Sequence, residues 1–167
     1  MYICIGSAMQ ELNLPVFDAR IRQAGNGKNE IFDEIRKKFV RLTPEEWVRQ
    51  HFLNYMIRQL GYPASLIVVE AAINYNGLKK RFDILAYLAD GSPCLVVECK
   101  APAIEITQAV FDQVAMYNMT LTVDYLVVTN GLVHYACQID HQQKKYTFLE
   151  EIPGYELLTQ KTLNRKS

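Results

Sequence analysis

The sequence lacks an excess of charge of either sign, because 18 lysine and arginine residues balance 18 aspartate and glutamate residues. A protein that binds nucleic acid strongly and without discrimination neutralises many phosphates, so this balance argues against that class. No apolar run approaches the roughly 20 residues of a membrane-spanning helix. Residues 1–9 are largely apolar but lack the basic flank of a signal peptide, which predicts a cytoplasmic protein without membrane contact.

Cysteine and histidine are also scarce. The four cysteines form no C-x-x-C pair, and the three histidines have no zinc-ligand spacing. Cys94, Cys99 and Cys137 lie in apolar, strand-like runs, so we expect free buried thiols there, and at Cys4, in preference to disulfides or metal ligation. Short basic clusters are candidates for local binding patches, although each alone is more typical of a solvated face. They comprise residues 36–38 with Arg41, 79–81, 144–145 and 165–166.

The 167 residues contain no internal repeat and no low-complexity segment, and 22% of them are charged. These features are typical of one globular domain with an apolar core. We predict that domain over residues 32–155. Residues 1–31 form an N-terminal extension, in which the turn motif Gly25-Asn26-Gly27 predicts a hairpin. Residues 156–167 are predicted to be a C-terminal tail.

The first half of the domain contains a strong helix signal. Residues 33–42 carry mixed charge and predict a short helix or a connector. Thr43 is a suitable helix cap, Pro44 suits the first helical position, and Glu46 completes a capping box. The pattern predicts a helix that ends near Leu60.

Strand signals dominate the second half. The predicted elements are, in order, strands over residues 65–73, 82–88 and 94–97, a helix over 103–118, and strands over 125–129 and 132–139. The order helix, three strands, helix, two strands contains a crossover helix. It therefore predicts an α/β fold in which helices flank a central mixed sheet.

The ends of two neighbouring predicted strands carry charged residues. Asp83 interrupts one apolar run, and Glu98-Cys99-Lys100 ends the next. Glu98 and Lys100 share a face because side chains alternate along a strand. Two carboxylates suit a hard cation such as Mg²⁺, the backbone carbonyl of Cys99 is a further possible ligand, and Lys100 would lie beside the reacting group. The alternative is a salt bridge between Lys100 and one acid.

The second predicted helix adds two polar residues. Gln113 and Tyr117 are four residues apart and share a helix face, which we expect to pack beside the Glu98–Lys100 strand end. Together they can hold a water, a phosphate oxygen or Lys100. The alternative is an ordinary helix face with one core tyrosine and one surface amide.

Taken in order, Asp83, Glu98-Cys99-Lys100 and Gln113-Val-Ala-Met-Tyr117 resemble the PD-(D/E)xK nuclease superfamily. The Q-x-x-x-Y motif resembles the subgroup of RecB-type nucleases and type I restriction subunits. The wider sequence is similar to the N-terminal domain of the type I restriction enzyme R subunit over residues 32–155. The stretches that carry this similarity are LTPEEWVRQHFLNYMI, LGYPASLIVVE, KKRFDILAYL, LVVECKAP, DQVAMYN, LVVTNGLVHYACQID and LEEIPGY.

The resemblance implies a restriction-endonuclease-like core, with Asp83 and Glu98 as metal ligands and Lys100 as the catalytic lysine. It implies auxiliary roles for Gln113 and Tyr117. Many relatives also carry a glutamate on the first helix, and Glu46 is our candidate, with helix capping as its alternative role.

The sequence departs from its relatives in two ways. Phe82 replaces the proline for which the motif is named, and the chain contains no Walker-type G-x-x-x-x-G-K-[ST]. We therefore expect that DNA translocation does not belong to this chain.

These observations predict a Mg²⁺- or Mn²⁺-dependent deoxyribonuclease that uses metal-activated water without a covalent intermediate. DNA is the expected partner, together with a homodimer or a separate motor or specificity subunit. Two alternatives remain: a non-catalytic nucleic-acid-binding or interaction module on the same scaffold, and hydrolysis of another phosphate ester.

Overall fold

A computed structural model describes residues 9–75, 77–119 and 123–166 of the chain. A small antiparallel sheet comes first, with β1 (Ile21–Gln23), β2 (Asn29–Asp33) and β3 (Lys38–Arg41) in that spatial order. The turn at residues 25–27 joins β1 and β2, as the sequence predicts.

Strand β3 contradicts the predicted helix or connector over residues 33–42. The side chain of Asp33 accepts hydrogen bonds from the backbone N–H groups of Ile35 and Arg36, which closes a tight turn after β2. Phe39 then packs edge-on against Phe32 of β2, with 5.2 Å between the ring centroids. The apolar residues that suggest a helical period therefore belong to a turn and a returning strand.

The first helix, α1 (Pro44–Arg58), begins where the sequence predicts. The hydroxyl oxygen of Thr43 accepts a 3.1 Å hydrogen bond from the Glu46 N–H, so Thr43 is the N-cap. A short 3₁₀ turn, Ala64–Leu66, follows the helix. Among the described residues, no helix is long and apolar enough to cross a membrane.

The main sheet has six strands in sequential order: β4 (Ile67–Tyr75), β5 (Leu78–Tyr87), β6 (Pro93–Cys99), β7 (Tyr125–Thr129), β8 (His134–Asp140) and β9 (Lys145–Leu149). Only the described pair β6–β7 is parallel, and the other neighbours are antiparallel. A parallel pair needs a crossover connection, which α2 (Gln108–Met119) provides. The predicted mixed sheet is therefore confirmed, and β9 adds a strand after the last one predicted.

Helix α2 begins later than predicted. The predicted start at residue 103 is wrong, because Ala101 accepts a backbone hydrogen bond from Ile104 in a turn. The hydroxyl of Thr107 then accepts from the Val110 N–H at 3.3 Å and provides the start of the helix. The apolar residues Ile104 and Ile106 precede the helix instead of forming part of its stripe.

The two faces of the sheet bury separate apolar cores. Helix α1 contributes Phe52 and Met56 to one core, together with Leu158 of a third helix, α3 (Tyr155–Lys166). Helix α2 contributes Phe111 and Ala115 to the core on the opposite face. The predicted tail thus contains a helix, and Leu158 anchors it against the α1 side.

The expectation of free thiols is confirmed for Cys94, Cys99 and Cys137, which are all buried and unpaired. Burial raises the pKa of Cys94 to about 12 and that of Cys137 to about 12, so both thiols stay protonated near neutral pH. Cys4 lies outside the described residues.

Candidate active site

Near its middle, strand β4 rotates about its own axis, so that its side chains exchange faces of the sheet. Val69 packs into the core on the α1 side, whereas Ala71 packs into the core on the α2 side. Regular alternation would place both residues on one face. Glu70 between them has a φ of 52°, in the left-handed region that residues with a Cβ rarely adopt. The strand therefore rotates at Glu70.

Strand β5 turns over at the same level. Phe82 packs on the α2 side and Ile84 on the α1 side, although they are two residues apart. Asp83 lies between them and opposite Glu70, since Val69 pairs with Ile84 and Ala71 with Phe82. The Asp83 Oδ2 accepts a 2.7 Å hydrogen bond from the Cys99 N–H of β6. This contact connects the interior of β5, at Asp83, to the end of β6 that the sequence singles out.

Glu98 and Lys100 are on one side of the β6 end, as their spacing predicts. Lys100 donates a 2.8 Å hydrogen bond from Nζ to Glu98 Oε1, and its backbone N–H bonds the Thr129 carbonyl at 2.8 Å. The second bond continues the parallel pairing of β6 with β7 and fixes the backbone of Lys100. The salt bridge that the sequence leaves open is thus present.

Charge and burial shift the pKa values of both Glu98 and Lys100. Burial and the nearby charge of Asp83 raise the pKa of Glu98, although the hydrogen bond from Lys100 acts in the opposite direction. Burial by itself would lower the pKa of Lys100, but Glu98 and then Asp83 raise it above its ordinary value. Lys100 is therefore protonated at neutral pH, and the three charges influence one another.

Glu45, at the start of α1, belongs to the same electrostatic group. Its pKa is raised by burial and by the charge of Asp83, against the opposing influence of Arg49 and Lys100. Its side chain remains 46% exposed. The helix thus directs one carboxylate, that of Glu45, toward the two strand carboxylates.

Glu46, the helix acid that the sequence analysis selected, lies in a different environment. Its side chain is only 8% exposed and accepts hydrogen bonds from Arg36 at 2.8 Å, Arg49 at 2.5 Å and Gln50 at 2.8 Å. Its backbone N–H is capped by Thr43. Glu46 therefore belongs to a buried ion-pair network, apart from the cleft that Glu98 and Lys100 line.

Arg49 connects that network to Asp83. Its guanidinium, on a side chain that is 5% exposed, donates to Asp83 Oδ1 at 2.9 Å, Glu45 Oε1 at 3.2 Å and Glu46 Oε2 at 2.5 Å. Burial would lower the pKa of Arg49, but the charges of Glu46 and Asp83 raise it. A permanent cation is therefore in contact with one of the two predicted metal ligands.

An open cleft of about 330 Å³ lies between the sheet and α2. Its polar lining residues are Arg81, Glu98, Lys100, Gln113 and Tyr117. Gln113 and Tyr117 share one face of α2, and that face lies beside the end of β6, as the sequence analysis expects. The cleft is the place where a substrate can reach Lys100.

The donor chemistry around the end of β6 fits a hard divalent cation. Carboxylate and carbonyl oxygens are what Mg²⁺ prefers, and Asp83, Glu98 and Glu45 supply carboxylates there; the charge of Asp83 raises the pKa of both Glu98 and Glu45. Burial keeps the pKa of the Cys99 thiol well above its usual value, so that residue can offer only its carbonyl. In the described part of the chain, no three acidic, cysteine or histidine side chains are already arranged around a common metal position.

Sequence reasoning missed several charged residues of this region. Arg49 had a detectable signal, because it follows Glu45 by four residues on a helix face. Arg81 had a weaker one, two residues before Asp83. Glu70 had none, because the strand rotation brings it to the site. Arg36 belongs to the basic cluster at residues 36–38, but the fold of β2–β3 encloses it among carboxylates instead of leaving it on a solvated face.

A comparison with known families identifies the family of this chain. Residues 44–153 match the family described as "Type I restriction enzyme R protein N terminus", and the chain belongs to this family. Membership supports a restriction-related, nuclease-like role. No curated protein matches the chain.

A solved structure is similar in fold. It is a fragment assigned as an HsdR subunit of a type I restriction enzyme from Vibrio vulnificus YJ016, with a TM-score of 0.53 and 20% sequence identity. The match covers 74% of this chain and 26% of that one. The chain therefore spans about a quarter of the length of the protein it matches, and this similarity concerns the fold alone.

Proposed function

We propose that the chain is a metal-dependent nuclease that hydrolyses DNA phosphodiester bonds in the cleft beside Lys100. The observation that carries the proposal is the proximity of three side chains around the end of β6: the Cys99 N–H donates to Asp83 of β5 at 2.7 Å, and Lys100 donates to Glu98 at 2.8 Å. Membership in a restriction-enzyme family supports the choice of DNA over other phosphate esters.

Asp83 and Glu98 would hold Mg²⁺ or Mn²⁺, with Glu45 as a third carboxylate and the Cys99 carbonyl as a further oxygen ligand. A metal ion bound there activates water and reduces the charge on the phosphate. Because this chemistry needs no protein nucleophile, the buried and protonated Cys99 thiol takes no part in it.

Lys100 stabilises negative charge in this proposal instead of removing a proton. Its raised pKa keeps the ammonium charged, and such a group is most effective when directed at the oxygen on which charge develops. Gln113 and Tyr117 line the opposite wall of the cleft and would orient the water or a phosphate oxygen through their amide and hydroxyl groups.

The test is cleavage of single-stranded, duplex and branched DNA by the wild type, D83N, E98Q and K100M, each in Mg²⁺, Mn²⁺ or EDTA. We expect cleavage that requires metal and that falls by about 10²–10³-fold in K100M. The matched control is K145M, which removes an exposed lysine of β9. RNA and nucleotide substrates in the same panel test the alternative that the chain hydrolyses another phosphate ester.

Two results would contradict this proposal. One is metal-dependent cleavage that survives all three substitutions, which would place the chemistry elsewhere. The other is a folded wild type that cleaves none of these substrates.

A non-catalytic nucleic-acid-binding module is the second candidate. The observation that favours it is the Arg49–Asp83 contact, which already balances one of the two strand carboxylates without a metal. Titration calorimetry separates the candidates. DNA binding without Mg²⁺ or Mn²⁺ binding would support the module, whereas metal binding that is lost in D83N would support the nuclease.

The proposed partners are DNA and either a second copy of the chain or a separate motor or specificity subunit. Cutting both strands of a duplex requires two cleavage events, which a dimer would provide. Sedimentation of the protein with and without duplex DNA tests the dimer.

A further inference from the structure

One arginine of the site differs from the others in its surroundings. Arg36 contacts Asp33, Glu46 and Glu70, and Arg49 contacts four carboxylates, so both are enclosed by negative charge. Arg81 contacts one described carboxylate, that of Glu70, at 2.7 Å and remains 68% exposed. Its charge is therefore the least balanced of the three.

Glu70 does not neutralise Arg81 fully, because its carboxylate is shared. Its Oε2 accepts from Arg36 at 2.8 Å, and its Oε1 lies 3.6 Å from Arg49. These arginines lower the pKa of Glu70 despite its partial burial, so the carboxylate is ionised at neutral pH. One negative charge thus meets three guanidinium groups.

The position of Glu70 depends on its unusual backbone. A φ of 52° in a glutamate costs free energy, and such residues persist where the surrounding structure requires them. Here the left-handed conformation turns β4 over and places the Glu70 carboxylate between the arginines of the α1 side and Arg81. The strain therefore has an identifiable result: the Glu70 carboxylate reaches both Arg36, at 2.8 Å, and Arg81, at 2.7 Å.

We propose that Arg81 binds a backbone phosphate of the DNA strand in the cleft, next to the scissile phosphate, and that Glu70 is its positioning residue. This inference rests on the proposed nuclease function and adds a substrate-binding site to it. Arg81 lines the same cleft as Lys100, Gln113 and Tyr117. A guanidinium offers five donors in a planar fork that matches phosphate oxygens, and Glu70 engages only one side of it.

The test measures DNA binding in a background that does not cleave. K100M and K100M/R81Q are compared by fluorescence anisotropy with a labelled duplex in Mg²⁺ over a range of salt concentrations. Removing one phosphate contact lowers the slope of log affinity against log salt by about 1. We expect that decrease for R81Q, together with several-fold weaker binding, and an unchanged slope for the control R58Q on α1. R81K is expected to keep the slope.

The positioning role of Glu70 is tested separately, by steady-state cleavage kinetics in the protein that retains Lys100. We expect Glu70→Asp, which keeps the charge that Arg36 and Arg49 require, to raise KM several-fold with little change in kcat, because it disturbs a substrate-binding contact. In an R81Q background the same substitution should have no further effect. A merely structural role would instead give equal losses in both backgrounds.

The outcomes are distinguishable. If the wild type cleaves DNA but R81Q leaves both affinity and salt slope unchanged, the phosphate site is wrong and the nuclease proposal stands. An equal decrease in slope for R58Q would also overturn the specific site. If the wild type neither binds nor cleaves DNA, both proposals fail together.

Discussion

Arg49 donates a 2.9 Å hydrogen bond to the carboxylate of Asp83, so a side-chain cation occupies one face of a predicted metal ligand. The same guanidinium also donates to Glu46, and this second contact would keep Arg49 near Asp83 if Asp83 bound another partner. A metal ion and Arg49 would therefore compete for Asp83.

The first prediction is that R49M weakens the fold and strengthens metal binding. Removing one partner of a buried ion pair costs up to about 3–5 kcal/mol, and in R49M the buried Glu46 keeps only Arg36 of its two arginine partners. We expect a lower free energy of unfolding in EDTA, and a larger increase of Tm on adding Mg²⁺ than in the wild type. Thermal denaturation with and without Mg²⁺ measures both, and R58M on the same helix is the control. An equal Mg²⁺ response in R49M and wild type would argue against competition.

The two adjacent glutamates of α1 should have separable roles. We expect E45Q to reduce metal binding and cleavage with a change in unfolding free energy below about 1 kcal/mol, because its side chain is half-exposed. E46Q should instead destabilise the protein by about 3 kcal/mol, since it leaves Arg36 and Arg49 poorly balanced. Urea denaturation and metal titration of both variants provide the measurement. A loss of metal binding that is confined to E46Q would restore Glu46 as the helix acid of the site.

The third prediction concerns pH and Asp33, which is fully buried. Burial would raise its pKa, but hydrogen bonds from Arg36 and Gln50 and the charge of Arg36 lower it below its ordinary 3.8. Because the folded protein holds this proton less tightly than the unfolded chain, the stabilisation is complete above pH 3.8 and disappears as pH falls through the folded value.

D33N should accordingly be less stable than the wild type by about 2–3 kcal/mol near neutral pH, and the difference should shrink at acid pH. Denaturation at a series of pH values measures it, with D18N as a control at an exposed carboxylate. A difference that stays constant down to the acid unfolding range would mean that the ionised form of Asp33 is not what stabilises the fold.

The fourth prediction separates backbone strain from crowding at glycine. Gly131 has a φ of 82°, and a Cβ added there would lie 2.8 Å from the Leu12 side chain and 3.1 Å from Val48. Gly27 has a similar φ of 78° with nothing within 4 Å of the added Cβ. G27A should cost about 1–2 kcal/mol from strain alone, and G131A about 1–3 kcal/mol more. Urea midpoints of the two variants test this, and equal losses would contradict the close approach of residue 12.

Most of the fold is predictable from local signals. Thr43, Pro44 and the apolar stripe after them specify α1 through capping and burial, which act within a few residues. The failures occur where two local signals compete. The helix start predicted at residue 103 is overridden by the Thr107 cap, and the short helix or connector predicted over residues 33–42 was outweighed by the turn that Asp33 closes.

The candidate site divides in the same way. Asp83, Glu98, Lys100, Gln113 and Tyr117 could be selected from the sequence, because strand alternation and helix spacing assign side chains to faces. The sequence could not decide between Glu45 and Glu46. Adjacent helix residues differ by about 100° in direction, and only the packed helix determines which of them faces Asp83 and Glu98.

The sequence by itself determined the order of the elements, the alternating apolar faces and the residues that carry the candidate chemistry, because those depend on short-range periodicity. The tertiary structure alone decided that β4 and β5 rotate at Glu70 and Asp83, and that three arginines from separate segments surround the carboxylates. Such charge networks depend on long-range contacts. Burial makes each charge costly without a partner, and only the assembled fold determines which partners are near.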